Sequence, residues 1–334
     1  MKRFYKKGIS LFLILLMSFP LCACKSDDSK ALTTVKLNEV AHSIFYAPMY
    51  VAIEKGYFED EGIELSLTTG FGADKTMAAV VSGDADVGFM GTEASIYAYT
   101  EGAKDHVINF AQLTQRAGNF VVARENTESF SYEDMIGKDV LGGRAGGTPE
   151  MVYEYVLREN GVSPSEVKID QSIDFGSTAA AFSGGQGDYT IEFEPSATAL
   201  EQSGDGYVVA SIGVDSGYLP YTAFCAKESY LKENADLIQH FTNALQKGMD
   251  YVAGHSPEEI ASVIVPQFSE TDLKTLTLIV NRYYDQETWN TDLILREEGY
   301  DLMLTILEES GVLSGAAPYE DLVNTDFAEK ASTL

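Results

Sequence analysis

The chain has 334 residues, 45% hydrophobic and 22% charged, with 51 Asp and Glu against 23 Lys and Arg and a formal net charge of −28. So acidic a surface repels nucleic-acid phosphates and anionic lipid, which excludes a DNA- or RNA-binding role. The apolar content is too high for a disordered chain, and the length suits two lobes.

The N-terminus comes first. MKRFYKK is basic, ISLFLILLMSF is apolar and LCAC follows, the order of a secretory signal with an apolar stretch too short for a membrane span. LCAC resembles the lipobox of bacterial lipoproteins, and Cys24 suits lipidation better than Cys22, which bulky Leu21 directly precedes. Residues 1–23 are therefore expected to be a signal peptide and 24–34 a polar tether. The expected location is extracytoplasmic, held to the bacterial cell membrane by lipid on Cys24 alone. Loss of Lys2, Arg3, Lys6 and Lys7 with the signal would move the net charge from −28 to −32. Cys225 then stands alone in the apolar run YTAFCAKE, as a buried structural thiol. No intrachain disulfide or cysteine zinc cluster is expected.

Beyond the tether, strand and helix patterns alternate. TVKLNEV predicts a strand and APMYVAIEKGYF a helix, with Pro48 in its first turn. IELSL is a strand, DKTMAAVVSG a helix closed by Gly83, ADVGFM a strand, TEASIYAYTEG a helix and HVINFAQLT a strand. FVVARE, KDVLGG, VKID, DYTIEF and YVVASIG predict further strands. SYEDMIG, TPEMVYEYVLREN, STAAAFSGG and EPSATALEQ are the helices between them. From about Ser229 the pattern is nearly all helical. This is an α/β chain with mostly parallel sheets and a helical C-terminal tail.

In open α/β sheets ligands sit off the carboxyl ends of strands, so the strand-to-helix junctions are the places to inspect. They are AHSIFYAP, TTGFGAD, MGTEAS, LGGRAGGTP and IEFEPS. The fourth has the composition of an anion site: bare N–H groups of Gly143, Gly146 and Gly147, the cation Arg144, and a helix opening near Thr148. It is not a nucleotide P-loop, because G-x-x-x-x-G-K-[ST] is absent. The four histidines do not cluster, so no metal is expected, and no cofactor.

EVAHSIFYAPMYVAIEKGYFEDEGIELSL resembles the opening of one solute-binding family, which serves ABC importers for nitrate, sulfonates, taurine and thiamine-pyrimidine precursors. Ala52, Gly56, Tyr57, Phe58 and Gly62 fill that family's helix frame. SGDADVGFMGTEA resembles a second motif through Gly83, Asp86 and Gly91, and EFEPSATAL its E-P junction. The resemblance covers roughly residues 35–315. It implies a periplasmic-binding-protein fold of the second type, with two lobes that close over a small-molecule solute. Lobe 1 would hold 35–117, lobe 2 118–221, and 222–334 would return to lobe 1 and end in helices. The crossings would fall near QRAGNF and YLPYTA. The implied partners are an ABC permease and its ATPase, with the binding protein a monomer.

The junctions and one crossing supply the candidate ligand contacts. Phe45 and Tyr46, Phe71 and Gly72, Gly91, Thr92 and Glu93, and Tyr221 at a crossing are candidate contacts. Gly143, Arg144, Gly146, Gly147 and Thr148 are the second lobe's candidates, with Thr148 as N-cap. Glu192 is the preferred reader of a ligand amino group, alternating with Phe193. Acids and rings outnumber the one obvious arginine, which favours an aromatic nitrogen heterocycle such as a thiamine-pyrimidine precursor. The alternative is an oxyanion held by Arg144. A sensor input domain and an enzyme on the same fold are the other classes. Against the enzyme stand the secretory signal and the lack of a cysteine-rich motif.

Overall fold

The computed structural model describes residues 31–127, 129–173, 175–313 and 315–334. The expected signal peptide, most of the tether and Cys24 lie outside them. Among the described residues, no helix is long and apolar enough to cross a membrane.

Two five-stranded sheets organise the chain. The first contains β1 (Thr33–Glu39), β2 (Ile63–Thr69), β3 (Val87–Met90), β4 (Val107–Thr114) and, much later, β10 (Thr222–Lys227), in the order β2-β1-β3-β10-β4. The second contains β5 (Asn119–Ala123), β6 (Asp139–Leu141), β7 (Lys168–Asp170), β8 (Tyr189–Phe193) and β9 (Tyr207–Ser211), in the order β7-β6-β8-β5-β9. The alternation in β1 sends Val35, Leu37 and Glu39 inward, as a sheet face requires. β3 and β5 are buried along their whole length.

The sheets are mixed, which corrects the expectation of mostly parallel ones. β1 runs parallel to β2 and β3, and β6 parallel to β7 and β8. β10 is antiparallel to β3 and β4, and β5 is antiparallel to β8 and β9. The reason is the route of the chain. It leaves the first sheet after β4, enters the second through β5, and comes back through β10. The strands entered by these crossings run against neighbours built from strand–helix–strand units. β10 was hidden in the sequence as an apolar run, yet it sits inside the first sheet. Its Cys225 is fully buried, which pushes the thiol up to about 12.

Other departures are local. The helix expected over APMYVAIEKGYF is two pieces, Ala47–Glu54 and Tyr57–Asp60, broken where Gly56 turns left-handed at φ 71°. SYEDMIG forms only a 3-10 turn, Tyr132–Met135.

The helical tail packs on both lobes. Helix Ala235–Gly254 crosses helix Ala47–Glu54 so closely that Gly248 leaves no room for a Cβ beside the Pro48 carbonyl. In helix Leu273–Asp285, Arg282 forms ion pairs with Glu194 and Glu201 of the second lobe. The next residue, Tyr283, packs against Phe45 at the end of the first sheet, the rings tilted and 5.1 Å apart between centroids. Helix Glu297–Glu309 reaches helix Thr148–Glu159 through Arg158 and Glu309 at 2.9 Å.

Candidate functional site

The junction after β1 is a 3-10 turn, Ile44–Tyr46, capped by the Ser43 hydroxyl. Its two rings are buried. Phe45 meets Tyr46 at 5.4 Å, Tyr221 at 5.7 Å and Phe193 at 6.4 Å, and its carbonyl accepts from Trp289 Nε1 at 2.9 Å. Tyr46 packs edge-on against Phe89 at 4.5 Å. These contacts join the first sheet, the end of β8, a crossing and the tail. Each ring pair adds roughly 0.5–1.5 kcal/mol beyond its buried area. The rings expected to hold a ligand thus first hold each other.

Beside this cluster lies a group of buried polar atoms. Glu93 opens helix Glu93–Thr100 and folds back over Gly91, whose missing Cβ makes the space for its carboxyl. Burial pushes the Glu93 carboxyl up, opposed by the nearby Thr148 hydroxyl. Thr92 Oγ1 donates to the Pro220 carbonyl at 2.7 Å, tying this junction to the crossing that carries Tyr221. Burial likewise drives Tyr221 well above its ordinary value, with Tyr46 and Glu93 adding to it. Within the second lobe, Asn119 Nδ2 donates to the Pro149 carbonyl at 3.3 Å.

Among the described residues, four atoms of this group lack a well-formed hydrogen bond: Glu93 Oε2, Asn119 Oδ1, Tyr221 OH and Thr148 Oγ1, the last lying beside the Glu93 carboxyl. They come from the first lobe, one crossing, the second lobe and the other crossing. A buried polar atom left unpaired costs about 1–3 kcal/mol, so four in one neighbourhood call for a partner supplied from outside. Thr148 is not the N-cap expected of it. The N-cap is Gly147 and Thr148 is the first helical residue, so its side chain is not spent on capping.

The glycine-rich loop is arranged differently from an open anion cradle. Gly143 and Gly146 adopt φ 77° and 78°, conformations that favour glycine. The Gly146 N–H donates to Glu150 Oε2 at 3.2 Å, and the other Glu150 oxygen accepts from Gln171. Burial and the neighbouring Glu154 push Glu150 up to about 7. Arg144 is exposed and forms no ion pair among the described residues.

Glu192 is buried on β8, where the Thr190 hydroxyl donates to its Oε1 at 2.6 Å and Thr178 lies within bonding reach. Burial pushes it up to about 7. Its neighbour Phe193 meets Phe45 instead. Phe71 is 76% exposed and sits at φ 57°, followed by Gly72 at φ 144°. His42 bonds Glu39 at 3.1 Å and the Gln267 carbonyl at 2.9 Å, and the Glu39 bond raises its pKa.

The structure therefore brings Glu93, Thr148 and Tyr221 together beside Phe45 and Tyr46, and places Arg144 and Phe71 at the surface. Asn119 was missed. Its signal was a lone amide between Gly118 and the apolar run FVVA, read only as part of the crossing QRAGNF. Among the described residues no group of His, Cys, Asp and Glu is placed to hold a metal ion.

Two α/β lobes joined by two crossings, with a helical tail across them, define a periplasmic-binding-protein fold of the second type. The family model described as NMT1/THI5 like matches residues 44–260, and the chain belongs to that family. It is 43% identical over its whole length, and 99% of the other's, to YtlA of Bacillus subtilis (strain 168), which carries a provisional designation as a binding protein. It is 27% identical to the riboflavin-binding protein RibY of Chloroflexus aurantiacus, over 71% of this chain and 66% of RibY. Among solved structures, the periplasmic aliphatic sulphonate binding protein SsuA from Escherichia coli superposes with a TM-score of 0.70. That match covers 86% of this chain and 96% of SsuA at 16% identity, a likeness of fold alone. The chain is a solute-binding protein.

Proposed function

We propose that this protein is the extracytoplasmic, lipid-anchored solute receptor of an ABC importer, and that it captures a small aromatic nitrogen heterocycle. A thiamine-pyrimidine precursor or a related compound fits this class. The lobes, 35–117 with 222–334 and 118–221, close on the solute as a monomer, and the closed form docks on the permease and its ATPase. Closure is a population shift driven by contacts that both lobes supply to one ligand. No cofactor takes part.

The observation that carries this reading is the polarity of the buried groups. Glu93, Asn119, Thr148 and Tyr221 present unpaired oxygens between the lobes, with aromatic rings beside them. Such a surface wants N–H donors and a flat apolar body. A sulfonate or nitrate would instead need the cation and free N–H groups of 141–149, where Arg144 faces solvent and Gly146 already bonds Glu150.

Thermal unfolding of the purified protein with aminopyrimidines, flavins, taurine, alkanesulfonates and nitrate tests the reading. A ligand at a hundred times its Kd adds about 2.7 kcal/mol of stability. Upward shifts are expected with a heterocycle, and shifts confined to the anions would sink the proposal.

A further inference from the structure

Asn119 has one hydrogen-bonding role fixed by its surroundings. Its amide nitrogen donates to the Pro149 carbonyl at 3.3 Å, which leaves Oδ1 as an acceptor only, buried and unpaired. Glu93 Oε2 is the second unpaired acceptor, on the opposite lobe. Among the described residues the Tyr221 hydroxyl is also unpaired and the Thr148 hydroxyl lies beside the Glu93 carboxyl, and each can donate or accept. Among the described residues, the ion pairs place no Lys or Arg against Glu93.

We infer that Asn119 Oδ1 and Glu93 Oε2, with the Thr148 and Tyr221 hydroxyls, form the edge that selects the ligand: an uncharged or cationic heterocycle presenting at least one N–H. This rests on the heterocycle reading above and names which groups enforce it. A sulfonate or nitrate group brings only acceptors. It leaves Asn119 Oδ1 unpaired and sets its own charge near a buried carboxyl, two penalties against which the edge offers it only the Thr148 and Tyr221 hydroxyls as donors. A ring N–H or exocyclic amino group satisfies Asn119, and a second nitrogen pairs Glu93 in either protonation state. Both lobes then hold one ligand edge, so the same bonds that select the solute also hold the lobes closed.

The four side chains differ from ordinary polar core residues in a testable way. Removing an unpaired atom breaks no bond in the free protein. Tyr221→Phe is therefore expected to keep or raise the Tm of the ligand-free full chain, while Thr148→Val, which also takes a hydroxyl away from Glu93, is read for binding alone. The same changes, with Glu93→Gln and Asn119→Leu, are expected to weaken binding of 4-amino-2-methylpyrimidine or riboflavin about tenfold each in calorimetry. If a heterocycle binds and all four variants bind it like the parent, the selecting edge lies elsewhere and this inference falls while the heterocycle reading stands. If methanesulfonate or nitrate binds in its place, or neither heterocycle binds, both fall together. A drop in the free Tm of Tyr221→Phe would assign that hydroxyl to the fold and overturn its place in the edge.

Discussion

The backbone N–H of Gly146 donates to the carboxyl of Glu150, 3.2 Å away on the helix that follows it. A loop with the composition of an anion site thus holds one of the protein's own acids. Arg144, beside it, is left in solvent. Arg144→Ala is accordingly expected to change stability by less than about 0.5 kcal/mol and to leave ligand affinity unaltered. Tenfold weaker binding in calorimetry would return the loop to the ligand.

Phe45 depends on the absence of a side chain at Gly118. A Cβ there would come within 2.8 Å of the ring, and the ring has little freedom among Tyr46, Phe193, Tyr221 and Tyr283. Gly118→Ala is expected to cost about 1–3 kcal/mol through overpacking, and Phe45→Ala about 3–5 kcal/mol through the cavity it leaves. Urea unfolding measures both. Full stability of Phe45→Ala would mean that the cluster is a loose ligand surface and not a packed joint.

Phe71 presents the opposite case. It is 76% exposed in a left-handed conformation that glycine adopts without cost. Phe71→Gly is expected to hold or raise the Tm by relieving about 1 kcal/mol of strain. A simultaneous loss of affinity would show that the ring caps a bound solute. Unchanged affinity would remove it from the candidate contacts.

Glu192 links stability to pH. Its carboxyl rises from 4.5 to about 7 in the fold because burial penalises the charge, against the help of Thr190 and Thr178. The folded state therefore binds the proton more tightly than the unfolded state. The stabilisation is complete below pH 4.5 and is lost as pH rises through 7, a change of about 3 kcal/mol. Glu192→Gln is expected to flatten Tm against pH between 5 and 8 and to raise Tm at pH 8. Some slope will survive, because Glu150 titrates over the same window. An unchanged slope in the variant would mean that Glu192 is charged in the fold at neutral pH.

The sequence alone set most of the order of strands and helices, though not β10, and the position of the junctions. Those signals are local: the alternation in TVKLNEV, Pro48 opening a helix, Gly83 closing one at φ 83°. It also carried the family, through motifs whose members lie within a few residues of each other. Glu93, Thr148 and Tyr221 could be named because junction loops are read from the same local patterns. What the chain order could not show is which partner each group meets. β10 became a central strand because β3 and β4, more than a hundred residues earlier, offer it two open edges. Glu150 claimed the Gly146 N–H, Thr148 gave up the cap, and Asn119 was turned toward Pro149. Such choices are made by burial, where each polar atom must find a partner among residues distant in sequence or remain unpaired. Periodicity places a residue on a face, and only packing decides what that face meets.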